Sequence, residues 1–159
     1  MTEEMLELLR LLEEHQVRYL VIGGVAVNLH GYSRNTKDID IWVAADEPNL
    51  LALYEALKEW FGGTSPVEKG YLLSHKGVFV LGLSPNRVDL LTEATGPSFE
   101  SVYPNRIRVE RRGVEFNTVH LEDLIALKLA AGRPQDKVDV RFLRKIRLKL
   151  GQDAPEDQN

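Results

Sequence analysis

The chain has 159 residues, of which 43% are hydrophobic, and it carries a formal net charge of -4. This length suffices for one domain with a hydrophobic core, and the acidic balance argues against a general nucleic-acid coat protein. The absence of cysteine excludes disulfides and thiolate metal sites, so any metal would need oxygen or histidine ligands.

The first predicted element is an amphipathic helix from Thr2 to His15. Leucine and methionine recur there at helical spacing, and Thr2 suits the N-cap. Because this segment is acidic, it does not resemble a signal peptide, and no apolar run approaches the roughly 20 residues that a membrane span needs. We therefore expect a soluble, cytoplasmic protein that does not bind membranes.

A buried strand is predicted from Tyr19 to Ile22, ending at Gly23 and Gly24, with a short helix from Val25 to His30 behind it. Because glycine lacks Cβ, this turn can approach a ligand closely, and the free N–H groups of the following helix face an anion. The glycine pair therefore suggests a phosphate cradle, with an ordinary turn as the alternative.

The next strand carries two acids, Asp38 and Asp40, which alternate with Ile39 and Ile41. Because side chains alternate along a strand, both carboxylates share one face while the isoleucines bury on the other. Carboxylate oxygens in this arrangement suit Mg²⁺ and can bridge a pair of ions. The alternative is a pair of solvent-facing acids.

Asp89 lies inside a later apolar strand, where an unpaired charge is costly. A salt bridge with Arg87, two residues away on the same face, is one explanation. The other is that Asp89 is a third ligand of the site formed by Asp38 and Asp40, because three neighbouring carboxylates repel one another without a cation.

The rest of the chain predicts further helices and strands in one domain over residues 1–150, followed by a disordered tail over 151–159. A strand-like region begins at Tyr71. The elements are a helix from Pro48 to Trp60 capped by Asp46, a hairpin of Gly77 to Leu83 with Arg87 to Leu91, a hairpin of Arg106 to Val109 with Val114 to Thr118, and helices from Leu121 to Ala131 and from Pro134 to about Leu150.

The last helix is rich in lysine and arginine, and its buried stripe is predicted to be Val138, Phe142, Ile146 and Leu150. Its outward cations suit an RNA acceptor such as a tRNA end, or they form an ordinary solvated face. Asp136, in its first turn, is explained by the helix dipole.

Three motifs together resemble the polymerase β nucleotidyltransferase superfamily: Gly23-Gly24, Asp38-Ile39-Asp40-Ile41 and Val88-Asp89-Leu90. The resemblance runs from Val17 to about Leu143. It is strongest to small prokaryotic members, including the nucleotidyltransferase toxins of abortive-infection and toxin-antitoxin systems.

The resemblance implies an α+β (α/β) nucleotidyltransferase fold, with a mixed β-sheet flanked by helices and a helical C-terminal part. It also implies transfer of an NMP group from an NTP with two Mg²⁺ ions. In that scheme Asp38 and Asp40 bridge both ions, and Asp89 joins the ion that activates the acceptor hydroxyl. Gly23 and Gly24 hold the β- and γ-phosphates.

Two cations complete this scheme. Arg34, in the loop before the acid pair, and Lys128, in a late helix, would neutralise the triphosphate or the pyrophosphate leaving group. The alternative for Lys128 is a solvated helix lysine, and the nearby Asp139 is expected to pair with Lys137 or Arg141.

Three functions follow. The first is a nucleotidyltransferase acting on RNA, protein or a small molecule, with the further possibility of a toxin paired with an antitoxin. The others are a non-catalytic nucleotide-binding module and a metal-dependent phosphohydrolase. The complete carboxylate trio favours the first over the second, and the glycine pair, which suits a triphosphate donor, argues against the third.

Overall fold

The computed structural model describes residues 1–153. The helices are α1 (Glu3–Glu14), α2 (Gly23–Leu29), α3 (Glu47–Trp60), α4 (Lys69–Ser74), α5 (Phe99–Val102), α6 (Leu121–Ala131) and α7 (Pro134–Asp153). The strands are β1 (Tyr19–Ile22), β2 (Ile39–Val43), β3 (Val78–Leu81), β4 (Val88–Leu91), β5 (Ile107–Arg111) and β6 (Val114–Thr118). A 3₁₀ turn over Tyr103–Asn105 follows α5 directly.

All these strands join one mixed sheet in the order β3-β4-β2-β1-β6-β5. β2 pairs antiparallel with β1 and parallel with β4, while β1 pairs parallel with β6. The two edges are antiparallel hairpins, β3 with β4 and β5 with β6. The predicted α+β fold with a mixed sheet flanked by helices is therefore confirmed, as are both predicted hairpins.

Each face of the sheet carries its own hydrophobic core because strand side chains alternate. Ile39 and Ile41 of β2 point into a core shared with α1, α3 and α4. Trp42, on the opposite face, belongs to a core with α5, α6 and α7. The even-numbered face of β2 therefore meets the C-terminal helices, and Asp40 lies on that face.

Two helix caps agree with the sequence. Thr2 Oγ1 accepts a hydrogen bond from the Met5 N–H at 3.2 Å, and the Asp46 carboxylate accepts one from the Asn49 N–H at 3.2 Å. These bonds satisfy N–H groups that lack a partner in the first turn of a helix.

Three boundaries differ from the prediction. The region expected to be strand-like from Tyr71 is helical to Ser74, and its strand starts only at Val78. The short helices α4 and α5 were not predicted, because elements of six and four residues are too short to show a hydrophobic period. α2 begins at Gly23 rather than Val25.

The predicted buried stripe of α7 is only partly right, because Phe142 and Ile146 are half-buried but the other two members are not. Val138 and Leu150 are 38% and 59% exposed, whereas Val140 and Leu143 are buried. The helix is rotated because it buries Asp136 and Asp139, which are 1% and 0% exposed. α7 continues to Asp153, and the rest of the predicted tail, residues 154–159, lies outside the described residues.

Within residues 1–153, no helix has both the length and the apolar character that a bilayer span requires.

Candidate functional site

The three predicted acids lie at neighbouring strand ends. In the parallel pair of β2 and β4, Asp40 is the register partner of Asp89, and Ile39 is the partner of Val88. Asp38 immediately precedes β2 and shares the face of Asp40 by alternation. The fold thus brings three carboxylates together at one end of the sheet.

Arg87 pairs with two of these acids. Its Nε donates to Asp89 Oδ1 at 3.0 Å and its Nη2 donates to Asp89 Oδ2 at 3.3 Å. Its Nε also lies 3.6 Å from Asp38 Oδ2. The salt bridge between Arg87 and Asp89 that the sequence allowed is therefore present, and one guanidinium partly neutralises two carboxylates.

Asp40 is the least compensated of the three acids. Burial first, and the neighbouring charge of Asp89 second, raise the pKa of Asp40 to about 6. Gly23 packs directly against it: a Cβ at position 23 would lie 2.1 Å from Asp40 Oδ2, and the residue has a φ of +67°. Only glycine combines this backbone conformation with so close an approach.

Gly24 makes similar room for the loop before β2. A Cβ at position 24 would lie 3.0 Å from both Arg34 Nη2 and Thr36 Oγ1. The backbone N–H of Arg34 donates to Asn28 Oδ1 of α2 at 2.9 Å, and its Nη2 donates to Asp139 Oδ2 of α7 at 3.0 Å. The glycine pair thus lets Arg34 cross over α2 towards α7.

Lys128 is not a solvated helix lysine. It is 6% exposed, and its Nζ lies 3.0 Å from both Asp136 Oδ1 and Asp139 Oδ2. The expected pairing of Asp139 with Lys137 or Arg141 is wrong, because residue 139 faces inward and meets Lys128 and Arg34 instead.

The ion pairs of this cluster decide the state of its acids. Burial alone would raise the pKa of Asp136, but hydrogen bonds from Arg133 and Lys128 outweigh burial and lower it. Burial likewise opposes ionisation of Asp139, and hydrogen bonds from Gln135 and Lys128 reverse the effect, so its pKa is also lowered. Both acids are therefore charged and hold Lys128 in place.

One cavity of about 620 Å³, the carboxylate cavity, joins all these groups. Its walls include every predicted site residue: Gly23, Gly24, Arg34, Asp38, Asp40, Asp89 and Lys128. The acids come from β2, β4 and the residue before β2, while cations enter from the loop before β2 and from α6. Such a cavity offers oxygen ligands to a metal ion and cations to a phosphate chain.

The donor set fits a hard divalent cation, although the side chains are not gathered around one. Among residues 1–153, no three His, Cys, Asp or Glu side chains are grouped closely enough to hold a metal ion. The guanidinium of Arg87 forms ion pairs with Asp38 and Asp89, in the place that a metal ion would take. Its side chain is 41% exposed, so rotation into solvent would free both carboxylates for a metal.

The segment Arg133-Pro134-Gln135-Asp136 also resembles a later motif of the superfamily, but the sequence did not assign Arg133 to the site. Arg133 Nε donates to Asp136 Oδ2 at 2.8 Å, and the residue lines the cavity beside Lys128. Arg133 and Asp136 are three residues apart at the start of a helix, a spacing at which side chains meet, and that was the available signal.

Residues 1–146 match the family model described as nucleotidyltransferase of unknown function, DUF6036. The chain belongs to this nucleotidyltransferase family. The predicted membership of the nucleotidyltransferase superfamily is thereby confirmed. No curated protein matches the chain.

Two solved structures share the fold of this nucleotidyltransferase. One is the lincosamide antibiotic adenylyltransferase LnuA with lincomycin bound, at 18% identity and a TM-score of 0.53, covering 91% of this chain and 98% of that one. The other is an antigenic nucleotidyltransferase-like protein from Paracoccidioides brasiliensis, at 13% identity and a TM-score of 0.53, covering 92% and 77%. At these identities the likeness concerns the fold.

Replacing Asp40 with Asn should stabilise the metal-free protein above pH 7. The pKa of Asp40 is raised from 3.8 to about 6 in the folded protein, so ionising Asp40 destabilises the fold. This loss of stability is absent below pH 3.8 and is complete once the pH has risen through 6. We expect Asp40→Asn to gain about 2 to 3 kcal/mol at pH 8 in EDTA and almost nothing near pH 4. Urea unfolding at both pH values measures this; an equal difference at both would contradict the raised pKa.

Replacing Lys128 with Ala should destabilise the fold strongly, because it leaves Asp136 and Asp139 buried without their shared cation. Breaking a buried ion pair from one side costs about 3 to 5 kcal/mol. Lys137→Ala, on the exposed face of α7, is the matched control and should change stability by less than about 0.5 kcal/mol. Equal unfolding free energies for the two variants would show that the buried cluster contributes nothing.

Proposed function

We propose that this nucleotidyltransferase transfers an NMP group from an NTP to an acceptor hydroxyl in a Mg²⁺-dependent reaction. The observation that carries the proposal is the placement of Asp38, Asp40 and Asp89 in the same cavity as Gly23, Gly24, Arg34 and Lys128. Acids that suit metal ions and cations that suit phosphates meet there.

The acids Asp38, Asp40 and Asp89 would hold Mg²⁺. When bound, Mg²⁺ neutralises the charged phosphate oxygens and favours ionisation of the acceptor hydroxyl. Two properties of the chain support this assignment. The charge of Asp40 is poorly compensated, and the Arg87 guanidinium forms ion pairs with both Asp38 and Asp89.

The triphosphate would lie against the backbone of Gly23 and Gly24, which form part of the cavity wall. Lys128 directs two of its three N–H donors to Asp136 and Asp139, and the third would be free to bind a phosphate oxygen. Arg34 and Arg133 add two further cations at the cavity wall. These groups are held in place before the nucleotide binds, which lowers the entropic cost of binding it.

The proposed reaction is a direct transfer to the acceptor and needs no covalent enzyme intermediate. The acceptor oxygen forms a bond to the α-phosphorus while the bond from that phosphorus to the oxygen shared with the β-phosphate breaks. Pyrophosphate leaves with the electron pair, and the proton of the acceptor hydroxyl passes to a carboxylate of the trio. Positioning and charge are the main contributions that the protein must supply.

The acceptor is RNA, protein or a small molecule. LnuA, which shares the fold, is a lincosamide antibiotic adenylyltransferase with lincomycin bound, which makes a small molecule the first candidate acceptor for this chain. Exposed cations of α7, among them Lys137, Arg141 and Arg144, favour RNA as the second candidate. A toxin role with an antitoxin partner stays a prediction from the resemblance alone.

We expect NTP and Mg²⁺ together, and neither alone, to stabilise the protein against thermal unfolding. A ligand at a hundred times its Kd adds about 2.7 kcal/mol. The matched control is Asp38→Asn with Asp40→Asn, which should abolish the Mg²⁺-dependent shift whatever its own melting temperature.

The same samples separate the three functions. Pyrophosphate release with nucleotide found on an acceptor supports transfer. A shift without release of either pyrophosphate or phosphate indicates a binding module, and release of inorganic phosphate alone indicates a phosphohydrolase. No shift with any NTP would contradict the nucleotide site.

A further inference from the structure

A second cavity of about 550 Å³ adjoins the carboxylate cavity. The start of α1, the α2 helix, the turn at Ser84-Pro85 and the tip of the β5–β6 hairpin enclose it. The two cavities share Thr36, Lys37 and Asp38. Asp38 is therefore accessible from both, whereas Asp40, Asp89 and Lys128 line the carboxylate cavity and not the second one.

The second cavity has an apolar floor and a cationic rim. Met5, Leu6, Val25 and Leu29 contribute the apolar surface. The rim carries Lys37, Arg111 and Arg112, all exposed.

These rim cations have no counterion within the described residues. No carboxylate of residues 1–153 forms an ion pair with any of the three. Arg112, with a φ of +50°, is the first residue of the two-residue turn between β5 and β6, which places its side chain at the hairpin tip. Unpaired cations above an apolar floor are complementary to a ligand that has both an apolar body and an anionic group.

The position of this cavity suits the acceptor rather than the donor nucleotide. In an in-line displacement the attacking hydroxyl and the leaving pyrophosphate lie on opposite sides of the α-phosphorus, so acceptor and triphosphate need separate spaces. The carboxylate cavity holds the glycine pair and the phosphate-binding cations. The second cavity meets the acids at Asp38, which in the proposed scheme also contacts the ion that activates the acceptor hydroxyl.

We propose that the second cavity binds the acceptor, and that the acceptor is a small amphipathic molecule with an apolar body, an anionic group and a hydroxyl. This inference rests on the proposed nucleotidyl transfer and names its substrate class. A cavity of this volume is within the range of small-molecule sites. The exposed cations Lys137, Arg141 and Arg144 of α7, which would suit RNA, line neither cavity.

The binding probe is 8-anilinonaphthalene-1-sulfonate, which has an apolar body and an anionic group but no hydroxyl to react. The test variant is Arg111→Glu with Arg112→Glu in the full chain. The matched control is Lys58→Glu with Lys76→Glu, which makes the same charge change at exposed residues outside both cavities. Fluorescence titration gives the Kd for each protein.

We expect saturable binding of the probe to the wild type, a Kd raised at least about tenfold in the test variant, and no change in the control. The thermal shift with NTP and Mg²⁺ should survive in both variants. Equal weakening in both, or no saturable binding to the wild type, overturns the proposal. Loss of the NTP shift in the test variant also overturns it, because the cavity would then belong to the donor site.

Proximity to the acids is tested with Mn²⁺ alone. Mn²⁺ should broaden the proton NMR signals of the bound probe in the wild type and not in Asp40→Asn. Broadening that is absent from both proteins, while the wild type binds Mn²⁺, would place the probe away from the acids and overturn an acceptor role. Transfer of NMP to total cellular RNA would overturn the small-molecule class.

These measurements test the nucleotidyl transfer and the acceptor role of the second cavity separately. If the wild type shows no shift with NTP and Mg²⁺, the proposed nucleotidyl transfer fails, and the acceptor role falls with it. If that shift is present and the probe does not depend on Arg111 and Arg112, only the second cavity loses its role.

Discussion

The parallel pairing of β2 with β4 sets Asp40 beside Asp89, and two carboxylates so placed repel each other. The fold keeps the acids adjacent at the end of the sheet despite this repulsion. It places Gly23 against Asp40, which leaves no room for water or a side chain between them, and it lets Arg87 pair with Asp89 and Asp38. In the proposed function this repulsion would be relieved by a bound divalent cation.

The C-terminal helices supply the opposite charge. Lys128 of α6 is held between two buried acids of α7, and Arg34 reaches one of them, Asp139, from the loop before β2. The buried cluster thus fixes the helices and the loop against the sheet while it positions cations around one cavity. Under the proposed function, the ion pairs that stabilise the fold also hold the cations that would bind phosphate.

Much of this arrangement follows from local patterns in the sequence. The alternation around Asp38, Asp40 and Asp89 predicts strands with acids on one face, and the Gly23-Gly24 pair predicts a close approach of the backbone. Hydrophobic periodicity failed for α7, where ion pairing buries Asp136 and Asp139 and turns Val138 outward. Burial of a charge depends on partners that are distant in sequence, and a single helical pattern does not reveal them.

The second cavity was beyond sequence reasoning for a related reason. Its walls come from the start of α1, from α2 and from two turns far apart in the chain, and only the tertiary arrangement brings them together. The cations at position 111 and at the left-handed Arg112 looked like an ordinary hairpin turn in the sequence. They suggest a binding site only because the folded chain places them above the apolar floor of the second cavity.

The most direct measurement is the number of Mn²⁺ ions bound per chain in the presence of a non-hydrolysable NTP analogue, determined by electron paramagnetic resonance. We expect two ions, as two-metal transfer requires, and loss of at least one when Asp38, Asp40 or Asp89 is replaced by Asn. A single ion, bound equally well by the wild type and by all three variants, would mean that the nucleotide alone carries the metal. That result would contradict the assignment of the carboxylate cavity.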